Sequence, residues 1–479
     1  MRSLEWLTLL ACITAFLLPL LPRSGGRRWL PDLAALLPLV AAGLHLWLEG
    51  WRIQMVPLYL MALLFAALRW RARRRSLPPA PPHLLRLGLT ALTLTLAGML
   101  PAWLLPVVRL PLPTGPYAVG VLDREIKDPV RSRRLMVSVW YPASSGGPRA
   151  PLTQNPDEMA AGLAAAYGLP AAATALQHLR YFTSAASADA PILPGAPPFP
   201  VLVFSHGLVG VRLQNSGTFQ ELASHGYVVV ALDHTDAAAV TVFPNGETRL
   251  FDLQRLGIRP EQLERSTRPL LPIWVADQRL VYDMVAEWQA TDPLFAGRLD
   301  LERMGAFGHS FGGVTALEVC RTDVRCRAAA NLDGGLPRDG LTSAVRPVLL
   351  MTSAQSKSLD YAVRLWTAYV RAARGPVDWL ELPGSNHYSF TIVPLISPLM
   401  APWGYDSAAG LKTIDGHLKT FFDLHLRGTP TRGVDPAARN PNREGRVLPD
   451  AAAADREGLH GGGSQRDSGQ PQSADRRGR

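Results

Sequence analysis

The sequence predicts an α/β fold, a mostly parallel sheet with helices on both faces, preceded by about four transmembrane helices. Three observations lead there. Short apolar runs of strand length alternate with helical patterns from Pro198 onward, and four longer apolar runs crowd the first 110 residues. Charged residues make up 18% of the chain, against roughly 25% in an ordinary soluble domain, so part of it hides from water in a way a soluble core does not require. The 479 residues allow two to four structural units at roughly 100–200 residues per domain.

The four apolar runs are Leu4–Leu21, Trp29–Leu48, Ile53–Leu68 and Leu87–Val108. A hydrocarbon layer of about 30 Å takes around 20 helical residues, so the first, second and fourth are long enough and the third is slightly short. Prolines within the runs are tolerated in lipid where neighbouring helices satisfy the freed backbone groups. Arg23, Arg27, Arg28, Arg69, Arg71, Arg73, Arg74, Arg75 and Arg86 fall on one side, against Arg2, Arg52 and Arg109 on the other. The positive-inside bias then puts the first and third loops in the cytoplasm, and the amino terminus and everything after Val108 outside. A secretory signal over residues 1–22 is the competing reading; the run ends in Leu18-Pro-Leu-Leu-Pro22 with no small-x-small cleavage site.

This placement also explains the net charge of +10. Residues 1–110 hold 12 Arg against Glu5, Asp32 and Glu49, whereas residues 111–430 hold 28 basic and 29 acidic side chains. The basic excess therefore sets topology and does not mark a nucleic-acid partner. Three cysteines exclude a disulfide framework and a multi-cysteine zinc site; Cys320 and Cys326 flank a short turn where a disulfide is an open alternative, and Cys12 belongs to a span.

After the stiff linker Pro111–Pro116 the predicted elements follow in order. Leu135–Trp140 is a strand, and residues 143–197, rich in Ala, Gly, Pro and Ser, are an excursion with one helix near Pro156–Tyr167. Then come strand Pro200–Phe204, helix Gln214–His225, strand Val228–Asp233, a long insertion, helix Ile273–Gln289, strand Arg303–Phe307, helix Gly312–Cys320, strand Ala328–Leu332, strand Val348–Thr352, helix Leu359–Ala373, strand Asp378–Leu382 and helix Leu411–Leu426. Short apolar strands separated by helices mean a parallel sheet covered on both faces. Residues 430–479, Arg/Asp/Gly/Ser/Gln-rich with few large apolar side chains, are expected to be disordered.

Gly308-His-Ser-Phe-Gly-Gly313 lies between a predicted strand and a predicted helix. A G-x-S-x-G there forces the serine into a strained, exposed turn, which makes Ser310 the candidate nucleophile. A serine needs a base, and in this arrangement the histidine comes late in the chain. Of His387, His417 and His425, the last two sit inside the closing helical pattern, while His387 stands in a turn just past the strand Asp378–Leu382. The orienting carboxylate is Asp333, at the end of Ala328–Leu332; after the next strand the nearest acid is Asp360, already inside a helix. An oxyanion hole takes two backbone N–H groups: Phe311, after the nucleophile, and Leu208, in the loop Ser205-His-Gly-Leu-Val-Gly210. His206 in that loop is expected to be structural. No metal-ligand spacing or nucleotide-binding glycine loop occurs, so no cofactor or metal is expected.

These residues carry a resemblance. Phe204-Ser-His-Gly-Leu, Ala223-Ser-His-Gly-Tyr-Val-Val-Val-Ala-Leu-Asp-His-Thr-Asp236, the Gly-His-Ser-Phe-Gly-Gly turn, Leu332-Asp-Gly, Thr114-Gly-Pro-Tyr-Ala-Val-Gly120 and Val137-Ser-Val-Trp-Tyr-Pro142 resemble the platelet-activating-factor acetylhydrolase family, over about residues 112–427. The resemblance implies a calcium-independent α/β-hydrolase that cleaves short or oxidised acyl chains from phospholipids. It also implies an acid after the strand that follows the nucleophile, where Asp333 stands. The departures are the four predicted spans and dissimilar sequence at 143–195 and 237–270.

The expectation is therefore a transmembrane region over 1–110, a catalytic domain over 111–429 and a tail over 430–479. The chain would be an integral membrane serine esterase with an extracytoplasmic site, acting on lipid or small esters. A broad-specificity carboxylesterase or an acyltransferase is the alternative, and a non-catalytic receptor or scaffold with a hydrolase shell a further one. The apolar stretch Ile392–Trp403 past His387 is either an acyl-binding surface or plain core.

Overall fold

The computed structural model describes residues 2–18, 29–74, 83–144, 146–259, 267–336 and 344–429, with side chains in 83–92 excepted. The predicted tail and the arginines 23, 27, 28 and 75 lie outside these residues.

A ten-stranded sheet organises residues 118–382. Its strands are β1 (Ala118–Asp128), β2 (Arg133–Ala143), β3 (Arg149–Pro151), β4 (Thr183–Ala188), β5 (Phe199–Ser205), β6 (Val228–Asp233), β9 (Leu299–His309), β10 (Cys326–Leu332), β11 (Val348–Ser353) and β12 (Val377–Leu382). Between them, β7 (Val240–Val242) and β8 (Thr248–Leu250) form a separate hairpin. The sheet order is β12-β11-β10-β9-β5-β6-β2-β1-β4-β3. From β12 to β6 every pair is parallel, while β6, β2 and β1 pair antiparallel.

The parallel strands are apolar throughout because both faces are covered. Along β5, Val201 and Val203 enter one core while Leu202 and Phe204 enter the other; β6 divides Val228, Val230 and Leu232 from Val229 and Ala231 in the same way. The first face is covered by α7 (Leu271–Thr291), α8 (Phe311–Thr322) and α9 (Asp360–Ala372), through Val281, Tyr282, Ala316, Val319 and Trp366. The second is covered by α6 (Ser216–Ser224) and α10 (Ser407–Arg427), where Phe204 meets Phe219 at 4.8 Å and Phe307 at 5.0 Å between ring centres. Each fully buried side chain of this kind contributes roughly 1.5–3 kcal/mol. Cys320 and Cys326, both buried, are joined as a disulfide across the turn from α8 to β10.

The amino-terminal part is helical: α1 (Ser3–Leu17), α2 (Leu30–Leu48), α3 (Val56–Arg74) and α4 (His83–Leu104). The expectation of four spans is corrected here. Among the described residues, two stretches are long and apolar enough to cross a membrane, Leu30–Leu48 and Ile53–Arg74. The first helix as described is Ser3–Leu17, 15 residues or about 22 Å at 1.5 Å per residue, short of a layer of about 30 Å, and the apolar stretch described in the fourth is Thr93–Leu104. The last three residues of the long first run, 19–21, lie outside the described residues.

The ends of α1, α2, α3 and α4 nearest Arg2, Glu49, Arg52 and Leu105 meet in a polar cluster. Arg52, buried, bonds Glu5 at 2.6 Å and the Leu105 carbonyl, and Arg2 bonds Glu5 at 2.9 Å. This end also touches the excursion that carries α5 (Pro156–Ala166): Gln54 Nε2 donates to the Ala175 carbonyl and Tyr181 Oη to the Trp51 carbonyl, each at 2.6 Å.

Candidate active site

The parallel register brings five strand ends to one edge. His309 pairs with Leu332, Leu332 with Met351, and Ser353 with Leu382, so the residues after β5, β9, β10, β11 and β12 converge at the carboxyl end of the sheet. Open α/β sheets bind ligands at that edge.

Ser310 stands at the turn from β9 into α8 with φ 56° and ψ −125°, a region that costs a non-glycine residue about 1–3 kcal/mol. The neighbouring glycines make the turn possible. A Cβ on Gly308 would lie 2.3 Å from the Gly312 carbonyl carbon, and one on Gly312 would lie 2.1 Å from the Ser205 carbonyl oxygen. Ser310 N–H donates to the Leu332 carbonyl at 2.9 Å, tying the turn to the end of β10.

Asp333 follows β10 with φ 54° and a fully buried carboxylate. Four donors converge on it. Ser353 N–H reaches Oδ1 at 2.7 Å; Ser353 Oγ, Ser356 Oγ and His387 Nδ1 reach Oδ2 at 3.0, 2.9 and 2.8 Å. A carboxylate is acceptor-only, so it fixes the proton of His387 on Nδ1 and leaves Nε2 with a lone pair. His387 opens a short 3-10 turn, His387–Phe390, capped by Asn386, whose side chain accepts from Tyr388 and Ser389 N–H at 3.1 Å. The imidazole is about one third exposed.

Asp333 and His387 are therefore brought together, and Ser310 is placed on the adjoining turn; its neighbour His309 lies 4.5 Å from His387 between ring centres. Among the described residues, no hydrogen bond joins Ser310 Oγ to His387. Such bonds are often long without substrate and tighten in the complex. The competing residues are elsewhere: Asp360 is exposed at the start of α9, and His417 and His425 stay within α10.

Opposite the serine, the loop after β5 carries strain as well. Val209, a β-branched residue, has φ 62°. Its N–H donates to the Ala237 carbonyl at 3.2 Å and Gly207 N–H to Gln214 Oε1 at 3.3 Å. Between them, Leu208 N–H has no hydrogen-bond acceptor among the described residues. The side chains of Leu208 and Phe311 pack with Trp274, Leu253, Ile258 and Leu270, an apolar wall beside both backbone N–H groups.

His206 is buried and structural, its Nδ1 bonded to the Gly207 carbonyl and its Nε2 accepting from His234 N–H. Burial pushes its imidazole below the usual histidine range. Sequence reading missed Ser353 and Ser356, the hydroxyls that cradle Asp333, as well as Gln214. The Ser-Ala-Gln-Ser run at the end of β11 is the signal for the first two, since it offers donors where the strand carries no acid.

With the geometry in hand, comparison with known proteins relates the chain to esterases. A family model described as platelet-activating factor acetylhydrolase, isoform II, matches residues 104–260, a segment that ends before Ser310. A platelet-activating factor acetylhydrolase of Cavia porcellus is 26% identical over 302 residues, 59% of this chain and 68% of the relative. A probable 1-alkyl-2-acetylglycerophosphocholine esterase of Arthroderma benhamiae is 26% identical over 219 residues, 41% of this chain and 49% of the relative. The match thus spans between about half and two thirds of these relatives' lengths. Among solved structures, a ferulic acid esterase from Streptomyces cinnamoneus superposes with a TM-score of 0.55 at 28% identity, covering 70% of this chain and 98% of that one. The chain is thus similar to platelet-activating factor acetylhydrolases and carries an α/β-hydrolase-like fold, which relates it to carboxylic ester hydrolases.

Proposed function

We propose that the chain is a membrane-anchored serine hydrolase that cleaves short or oxidised acyl chains from phospholipids. The observation that carries the reading is the strained Ser310 turn beside the Asp333–His387 pair at 2.8 Å. His387 Nε2 takes the Ser310 proton as Oγ attacks the ester carbonyl. The oxyanion is held by Leu208 and Phe311 N–H, and the protonated His387 then gives its proton to the leaving alcohol. Water, deprotonated by His387, cleaves the acyl-enzyme and restores Ser310. Asp333 stays ionised throughout and stabilises the imidazolium. The apolar wall of Leu208, Trp274 and Phe311 beside the oxyanion donors suits an acyl chain.

Anchoring is supported by the outward faces of the helices. Val40, Trp47, Leu48, Leu60 and Leu63 are between 58% and 80% exposed, a density of apolar surface that water does not favour but lipid does. With the arginine bias, the Cys320–Cys326 disulfide supports an extracytoplasmic site, since such bonds persist in oxidising compartments.

The likeness to a ferulic acid esterase favours a second reading, a carboxylesterase of broad specificity. Purified full-length protein assayed on phosphatidylcholines with acetyl, oxidised and long acyl groups at the second position, and on a feruloyl ester, separates the two. Preference for acetyl and oxidised chains is expected; equal rates on all four overturn the phospholipid reading. Ser310→Ala is expected to abolish hydrolysis and fluorophosphonate labelling, and survival of both overturns the nucleophile.

A further inference from the structure

Three separate loops have to be held in register for the proposed reaction: the oxyanion loop at Gly207–Leu208, the turn at Ser310 and the base loop at His387. A single buried chain of hydrogen bonds links them. Gln214 Oε1 accepts from Gly207 N–H at 3.3 Å, and Gln214 Nε2 donates to His309 Nδ1 at 3.1 Å and to Asn215 Oδ1 at 3.2 Å. His309 Nε2 lies 2.9 Å from the His387 carbonyl oxygen. The base loop is held twice more from the same turn: Asn215 Nδ2 donates to the Phe390 carbonyl at 2.6 Å, and Ile392 N–H to the Gln214 carbonyl at 2.9 Å.

The donor and acceptor roles in this chain are fixed by elimination. Gly207 supplies a backbone donor, so the Gln214 oxygen must face it and the amide nitrogen must face His309. His309 Nδ1 then accepts, and its proton sits on Nε2, where the His387 carbonyl takes it. A proton on Nδ1 would oppose the Gln214 amide, so His309 has to stay neutral beside a His387 that becomes charged in the reaction. Burial, then the charge of His387, hold its imidazole down at about 3, in keeping with that demand.

We propose that His309 and Gln214 are positioning residues that act as one strut, fixing the oxyanion N–H of the Leu208 loop relative to the His387 imidazole across the Ser310 turn. The proposal rests on the reading of Ser310 and His387 given above and adds a function for the residue inside the serine motif, which touches none of the reacting atoms. A misplacement of about 1 Å in such a site costs on the order of 100-fold in rate. Loss of the strut should therefore lower kcat and leave KM nearly unchanged, because ester binding does not pass through it.

The test is a cycle of variants in the full-length protein, assayed on p-nitrophenyl acetate, with thermal unfolding as the fold control. His309→Asn retains a polar atom near Nδ1 but has nothing to reach the His387 carbonyl; kcat is expected to fall about 10–100-fold with KM within threefold. His309→Gln places an amide nitrogen near the Nε2 position and is expected to recover to within about fivefold of the parent. Gln214→Leu should match His309→Asn, and the double variant should be no slower than either single one, since both remove the same strut. A kcat for His309→Asn within twofold of the parent, a His309→Gln no faster than His309→Asn, or losses that multiply in the double variant would each overturn the proposal. Should His309→Asn fail to fold, Gln214→Leu carries the test: a kcat within twofold of the parent, or one no slower than that of His309→Gln, would overturn the proposal. Ser310→Ala in the same series keeps the two readings apart: activity surviving there overturns the nucleophile itself, whereas the outcomes above overturn only the strut.

Discussion

Replacing Asp333 with Asn keeps the shape of the side chain and changes one proton. The Asp333 carboxylate accepts from Ser353 N–H, Ser353 Oγ, Ser356 Oγ and His387 Nδ1 at 2.7–3.0 Å. In Asp333→Asn the oxygen can keep Ser353 N–H, the strongest fixed donor, which turns the amide nitrogen toward the two hydroxyls and His387. Serine hydroxyls rotate and accept, so the fold loses little, about 1–2 kcal/mol. His387 has no such freedom: facing a donor, Nδ1 must give up its proton, and the imidazole then carries it on Nε2, where it cannot take one from Ser310. A wrong tautomer of this kind costs about 10⁴-fold in kcat, or about 5.5 kcal/mol. Initial rates of p-nitrophenyl acetate hydrolysis should show that loss with KM within a few-fold and unfolding nearly unchanged. A loss under tenfold, or an equal loss in Asp360→Asn, would refute the reasoning.

Four further outcomes follow from the structure. Stability should decline as pH falls from about 6.5 toward 4, because buried His178, His206, His234 and His309 are held neutral, chiefly by burial, with His178 down at about 4 and His234 and His309 at about 3. The unfolded chain binds those protons first, so each group steepens the loss by up to about 1.4 kcal/mol per pH unit, and a melting temperature flat between pH 7 and 5 contradicts this. Arg212, buried against Asp233, Asp123 and Ser138, should cost about 3–5 kcal/mol when changed to Ala, measured by urea unfolding; a cost below 1 kcal/mol would show that the network is dispensable. Cys320→Ser should lower stability by about 2 kcal/mol for a bond spanning six residues, and two thiols reactive at these positions in the native protein would show that the bond is absent. A tag placed after Gly428 should be cleaved by protease added to intact cells or spheroplasts, and protection would reverse the proposed orientation.

What the sequence made legible was whatever local chemistry determines. The Ser310 turn is written in its glycines, and Asp333 and His387 can be read because each follows a short apolar strand that ends at the same edge. β1 escaped because its charged side chains, Asp123, Arg124, Glu125, Lys127 and Asp128, break the apolar pattern, although pairing with β2 makes it a strand along its whole length. β4, Thr183-Ser-Ala-Ala-Ser-Ala188, lacks the bulky residues that signal strands and is held by its neighbours β1 and β3. Gln214 and the serines around Asp333 were invisible for another reason: their partners lie between 7 and 95 residues away, and nothing local names them. Of the four apolar runs, two are matched among the described residues by helices both long and apolar enough to span, because the first described helix covers 15 residues and the described apolar stretch of the fourth only Thr93–Leu104.

The junction between the helices and the sheet has a practical consequence for making a water-soluble form. Val107, Val108 and the buried Leu110 pack into the same cluster as Phe182, Val211, Val240 and Ile392, so they belong with the sheet part although Val107 and Val108 read as the end of the fourth apolar run. A chain shortened to begin after Leu110 would open that cluster near the base loop, while one beginning at Leu105 would retain it. Even the longer form would leave Tyr181 without the Trp51 carbonyl and the Ala175 carbonyl without Gln54. Polar replacements on the excursion are therefore part of the engineering, and a cut alone does not suffice.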